Sequence, residues 1–109
     1  MLDKYLVRCE NVEEAVGTLY VDIEQDYFDF DTNTKYNGPK PAFLAYPDAP
    51  MPLREQVKMW VLERAPEPHY EFIDVLIEKA GLTEYDAYGF FKYNKGQFII
   101  DKFYVQALS

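Results

Sequence analysis

The thiol, imidazole and serine hydroxyl that commonly serve as nucleophile, base or soft metal ligand are scarce in this 109-residue sequence. It holds one cysteine (Cys9), one histidine (His69) and one serine (Ser109, the last residue). A hydroxyl or thiol nucleophile needs a neighbouring base and a third group to orient that base. Cys9 falls in an expected strand, where cysteine is a small core residue. His69 follows Pro68 in the first turn of an expected helix and reads as solvent-facing. Zinc needs clustered cysteine and histidine, which are missing. Asp29, Asp31 and Asn33 match the first three ligand positions of an EF-hand loop, but Thr34 stands where its glycine belongs and Lys40 where its bidentate glutamate belongs. The five glycines are scattered and form no phosphate loop. With nineteen acids, some carboxylate pair at a glycosidase-like separation is expected by chance. The inventory predicts no catalytic residue, no cofactor and no dedicated metal site.

The acids themselves carry the stronger signal. Between Arg8 and Lys35 there is no lysine or arginine, and eight carboxylates fill the gap. Residues 1–36 hold nine acids and three bases, a net −6 of the chain's −8. Asp22, Glu24, Asp26, Asp29 and Asp31 lie among Tyr20, Tyr27 and two phenylalanines. Alternate residues of a strand stand roughly 6.6–6.8 Å apart, a spacing comparable to that of phosphates along nucleic acid. A ladder of carboxylates on a strand can therefore imitate a nucleic-acid backbone and sit in a basic groove, with tyrosines as amphipathic anchors. The competing reading is a solvated strand face that keeps the sheet soluble and discourages edge-to-edge pairing.

The bulk numbers exclude several classes. A pI near 4.5 argues against direct nucleic-acid binding and against anionic membranes. No apolar run reaches the roughly 18–20 residues that span a bilayer. A single cysteine rules out an intramolecular disulfide, and Met1–Tyr5 does not read as the start of a signal peptide, so a cytoplasmic location is expected. The chain is 49% apolar and 17% aromatic, enough for one core filled with rings.

The patterning predicts a single α+β domain: a mostly antiparallel sheet with two or three packed helices in the C-terminal half, residues 1–46 mainly β and acidic, 52–93 helical, 97–105 β. Tyr5–Cys9 reads as a strand. Asn11 is placed to cap a helical turn over Val12–Val16, ended by Gly17. Leu19, Val21 and Ile23 alternate with Tyr20, Asp22 and Glu24, predicting a half-buried strand with its acids outward. Gln25-Asp26 reads as a turn, Tyr27–Asp31 as a strand, Thr32–Lys40 as a loop and Ala42–Tyr46 as a short apolar strand. Pro52 opens a helix with Leu53, Val57, Trp60, Val61 and Arg64 at helical spacing. A second helix starts at Pro68, presents Phe72, Ile73, Leu76, Ile77 and Ala80, and stops at Gly81. Thr83 with Asp86 resembles a capping box for a third helix ending near Tyr93. Phe98–Ile100 and Phe103–Val105 read as strands. Phe72–Lys92 has helix-turn-helix outlines, but Glu84 and Asp86 on its second helix would be repelled by phosphates, so it reads as a packed helical hairpin.

The stretch from Arg64 to Val105 carries Arg64-Ala-Pro-Glu-Pro, an apolar helix, Gly81-Leu-Thr-Glu-Tyr-Asp86, Phe91-Lys92, Gly96, and Asp101 with Phe103-Tyr-Val105. It resembles a C-terminal module of uncharacterised proteins of Firmicutes mobile elements and phages. The resemblance rests on packing and capping residues and implies no activity. It implies a context in which small acidic proteins antagonise host defence or neutralise toxins. Together, band and resemblance predict a non-enzymatic protein-binding domain with Tyr20, Asp22, Glu24, Asp26, Tyr27, Asp29 and Asp31 as its partner-binding residues. The partner is expected to present a basic surface, as in a nucleic-acid-binding bacterial defence enzyme inhibited in the manner of anti-CRISPR or anti-restriction proteins. Two alternatives stand beside it: an antitoxin or immunity protein, and an enzyme using carboxylates with a divalent cation.

Overall fold

Alternation decides the sheet. In a computed structural model describing residues 1–108, four strands form in the order β3-β2-β1-β4, every neighbouring pair antiparallel. They are β1 (Asp3–Cys9), β2 (Gly17–Asp22), β3 (Tyr27–Thr32) and β4 (Phe103–Ala107). The chain's last strand pairs with its first, Val105 opposite Val7 and Phe103 opposite Cys9. The period of two puts Tyr5, Val7, Cys9, Leu19, Val21, Phe28, Phe30, Phe103 and Val105 on one buried face.

Four helices follow the hairpin: α1 (Ala42–Ala45), α2 (Leu53–Leu62), α3 (Ile73–Lys79) and α4 (Ala87–Tyr93). The protein is thus α+β, with its three longer helices in the C-terminal half. Phe43 of α1, Val57, Trp60 and Val61 of α2, and Tyr88 and Phe91 of α4 join the buried sheet residues in one core. Its rings meet edge-on: Phe30 with Phe43 at 4.8 Å, Phe43 with Trp60 at 5.4 Å, Trp60 with Phe91 and with Phe103 at 6.4 Å. Such pairs contribute about 0.5–1.5 kcal/mol each beyond area burial. Among the described residues no helix is long and apolar enough to cross a membrane.

Several local expectations are overturned. Asn11 caps no helix. It takes a left-handed conformation (φ 65°) in the turn after β1, and residues 12–16 lead irregularly into β2. Gly17 opens β2 because a Cβ there would stand 2.2 Å from the Asp31 carbonyl oxygen across the ladder. Ala42–Tyr46 is not a strand: Pro41 (φ −62°) starts a single helical turn that buries Phe43. The second helix begins at Ile73, because residues 67–72 make turns (Tyr70 N–H to Glu67 C=O, Ile73 N–H to Tyr70 C=O). His69 lies exposed in that stretch. Gly81 (φ 72°) does stop α3, with Leu82 N–H on Ile77 C=O and Gly81 N–H on Glu78 C=O. Asp86, not Thr83, caps α4 by accepting from Gly89 N–H at 3.0 Å. Tyr85, just before the cap, donates its hydroxyl to the Pro66 carbonyl at 2.7 Å. Phe98–Ile100 is a turn, with Ile99 and Ile100 among the most exposed side chains of the protein.

Candidate functional site

The face of the sheet opposite the helices is open, and the seven singled-out residues collect on one hairpin of it. On β2 and β3, Tyr20 stands opposite Asp29 and Asp22 opposite Tyr27, while Asp31 faces Thr18. Five of the seven, Tyr20, Asp22, Tyr27, Asp29 and Asp31, therefore share the outer face, because their neighbours Leu19, Val21, Phe28 and Phe30 are buried. Glu24 and Asp26 are not part of the strand face. The strand ends at Asp22, and residues 23–26 turn, with Gln25 N–H on Asp22 C=O and Asp26 in a left-handed conformation (φ 50°). Ile23, expected to point inward, is 46% exposed there. The expected carboxylate ladder Asp22–Glu24 is thus replaced by Asp29–Asp31 along β3, with Glu24 and Asp26 at the tip of the hairpin.

Tyrosine hydroxyls organise these carboxylates. Tyr20 donates to Asp31 at 3.2 Å and Tyr27 to Asp29 at 3.1 Å, while the other Asp29 oxygen accepts from Phe30 N–H at 2.9 Å. The phenol of Tyr20 is pushed above its ordinary range by loss of water and then by its bond to Asp31. For Tyr27 the bond to Asp29 is the main cause of a shift in the same direction. A phenol donating to a carboxylate resists ionisation because its anion would face a second negative charge. The face therefore presents neutral phenol donors held against carboxylate acceptors.

Cations from elsewhere in the chain reach three of the five acids. Lys58 of α2 pairs with Asp26 at 2.8 Å, and this bond raises the lysine above its usual range. Arg54, one turn earlier, approaches Asp29 at 3.4 Å and lies over the Tyr27 ring at 4.9 Å. The N-terminal ammonium stands 3.7 Å from Asp22. Glu24 and Asp31 form no ion pair among the described residues. On the same outer face Lys4 of β1 lies beside Tyr20, so the acidic field ends at the β1 boundary. The base-free gap in the sequence is thus not base-free in space. Arg54 and Lys58, four apart on α2, were visible as a pair on one helix face, but nothing local ties that face to the hairpin.

The other chemical candidates are structural. Cys9 is buried on the inner face of β1. Asn33 donates to the Ala15 carbonyl and accepts from Lys35 N–H, pinning the loop after β3. Asp29 and Asp31, fixed on an extended strand, cannot curl around a cation with it. Among the described residues no three histidine, cysteine, aspartate or glutamate side chains converge as metal ligands. Ser109 lies outside the described residues.

Sequence reasoning missed the most heavily bonded side chain of the protein. Arg64, 4% exposed, donates to both oxygens of Asp101 at 2.8 and 2.7 Å, to the Phe103 carbonyl at 3.0 Å and to the Gly96 carbonyl. Its guanidinium lies 4.2 Å from the Trp60 ring. Burial alone would raise the Asp101 carboxyl, but Arg64 and the Phe103 N–H outweigh it and hold the group below its ordinary range. The available signal was a charged residue at an apolar helical position. A second buried chain runs from Tyr5, whose hydroxyl lies 2.6 Å from that of Tyr88, to Asp3, which accepts from Tyr88 at 2.6 Å. Burial, then the bond to Asp3, pushes Tyr88 far above the ordinary phenol range. No family model, curated protein or solved structure matches this chain.

Proposed function

We propose that the outer face of the β2–β3 hairpin is a non-catalytic docking surface for a basic protein groove, one that otherwise holds nucleic acid. The observation that supports this reading is the gathering of Tyr20, Asp22, Tyr27, Asp29 and Asp31 on one open strand face, with Glu24 and Asp26 at its tip. Asp29 and Asp31 share a face of β3 at the two-residue repeat, roughly 6.6–6.8 Å. They are held by tyrosine hydroxyls, so little side-chain ordering remains to be done on binding. The cations that reach Asp22, Asp26 and Asp29 come through exposed or half-exposed side chains, which a stronger basic partner can displace.

In this reading the protein acts in the cytoplasm as an inhibitor of a nucleic-acid-binding bacterial defence enzyme, encoded by a phage or mobile element. The experiment is affinity capture from the bacterial host, followed by elution with duplex DNA. Release of a nucleic-acid-processing enzyme by the duplex, and by moderate salt, is the expected result. A captured partner indifferent to both duplex and salt would sink nucleic-acid mimicry. A small toxin as the captured species would favour the antitoxin alternative.

A further inference from the structure

Two tyrosine–aspartate pairs on the outer face of the hairpin share one arrangement, a phenol hydroxyl donating to a carboxylate oxygen. They are Tyr27 with Asp29 and Tyr20 with Asp31. The first pair already holds a cation. The Arg54 guanidinium reaches to 3.4 Å from the same Asp29 oxygen that accepts from Tyr27, and it lies 4.9 Å from the centre of the Tyr27 ring. The second pair holds none. Among the described residues no lysine or arginine forms an ion pair with Asp31 or lies over the Tyr20 ring.

The two cations that α2 sends to the hairpin differ in the way their seats differ. Lys58 meets Asp26 through the carboxylate alone, and no ring lies under its ammonium among the described residues. Arg54 meets a ring and a carboxylate together. A guanidinium can lie flat on a ring while its edge N–H groups reach an acceptor, and it is weakly hydrated. An ammonium is a compact point charge that must shed tightly held water to do the same. The buried Arg64 repeats the combination, 4.2 Å from the Trp60 ring with two N–H groups on Asp101. Arg54 differs from Arg64 in being loosely held. Its side chain is 64% exposed and its bond to Asp29 is long. A guanidinium from outside can therefore take its place at little cost.

We infer, resting on the docking role proposed above, that the Tyr27–Asp29 and Tyr20–Asp31 pairs are seats for arginine side chains of the basic partner, and that Arg54 fills the first seat until a partner arginine replaces it. The test titrates the full ¹⁵N-labelled chain with hexa-arginine and with hexa-lysine, two peptides of equal side-chain charge. Hexa-arginine should bind about fivefold more tightly or better, with saturating amide shifts at residues 18–32. The double variant Tyr20→Leu, Tyr27→Leu should bring the two affinities within about twofold, and Tyr20→Phe, Tyr27→Phe, which keeps both rings, should restore the preference. Arg54→Lys keeps the charge but gives up the stacked guanidinium, and should tighten hexa-arginine by about threefold. Equal binding of the two peptides at residues 18–32, or a preference that survives the double leucine variant, would overturn the arginine seats and leave the docking face standing. Shifts that avoid residues 18–32 with both peptides would overturn the face and its seats together. Unchanged hexa-arginine affinity in Arg54→Lys would overturn the part given to Arg54.

Discussion

Among the described residues acid–base pairs occur in two places, and their settings give them opposite meanings. At the hairpin, Asp22, Asp26 and Asp29 meet cations whose side chains are 34–91% exposed. Between helices and sheet, Arg64 meets Asp101 through two parallel bonds while 97% of its side chain is out of water. Exposed pairs contribute about 0–1 kcal/mol because water and salt compete with them. A buried arginine that loses its place strands every acceptor it served, which costs several times more. The hairpin pairs can therefore be broken at little cost to the fold, whereas those of the Arg64 cluster are committed to it.

Substitutions separate the two regions, beginning with the largest effect. Arg64→Ala leaves the Gly96 and Phe103 carbonyls and the Asp101 carboxylate without their donor, and should lower the unfolding free energy in urea by about 3–5 kcal/mol. Asp101 adds a pH signature. Its folded pKa lies below the unfolded one, so its contribution is complete above about pH 4 and is lost as pH falls through the depressed value. Asp101→Asn should flatten that acid limb.

Next in size, Gly17→Ala forces a methyl group against the Asp31 carbonyl and should cost about 1–3 kcal/mol while loosening the hairpin. Tyr88→Phe removes the shared hydroxyl of the Asp3–Tyr88–Tyr5 chain and should cost about 1–2 kcal/mol. The raised Tyr88 pKa places its contribution below about pH 10, lost as pH rises further, so the variant should have a shallower alkaline limb. Smallest of all, Arg54→Ala should shift stability by less than about 1 kcal/mol, although it removes both an ion pair and a ring contact. A loss at Arg54 as large as that at Arg64 would erase the distinction between the two regions.

What was legible in the sequence follows the same division. The alternation Leu19–Tyr20–Val21–Asp22 and Tyr27–Asp31 located the hairpin and its outer face, because a strand's period of two sorts side chains without help from the rest of the fold. Pro52 and Gly81 marked a helix start and a helix end through backbone constraints that are equally local. Tertiary contacts decided the remainder. Ala42–Tyr46 sets Phe43 and Tyr46 among helix-forming alanines and leucine and turns to bury Phe43, whereas Phe98–Ile100 is rich in strand formers yet is bent by the Arg64 clamp. The site was legible as a list of acids but not as a charged surface, since Arg54 and Lys58 reach it from 25 and 32 residues away from Asp29 and Asp26 respectively. Arg64 carried no local sign of partners lying 32 to 39 residues further on.

The central claim, that the hairpin acids serve a partner and not the fold, is tested most directly by reversing charge at Asp22, Glu24 and Asp26 together. The variant Asp22→Lys, Glu24→Lys, Asp26→Lys should still unfold in one cooperative transition, and should lose affinity for the captured partner by at least a hundredfold in calorimetric titration. Affinity within threefold of the native protein, with the fold intact, would contradict it.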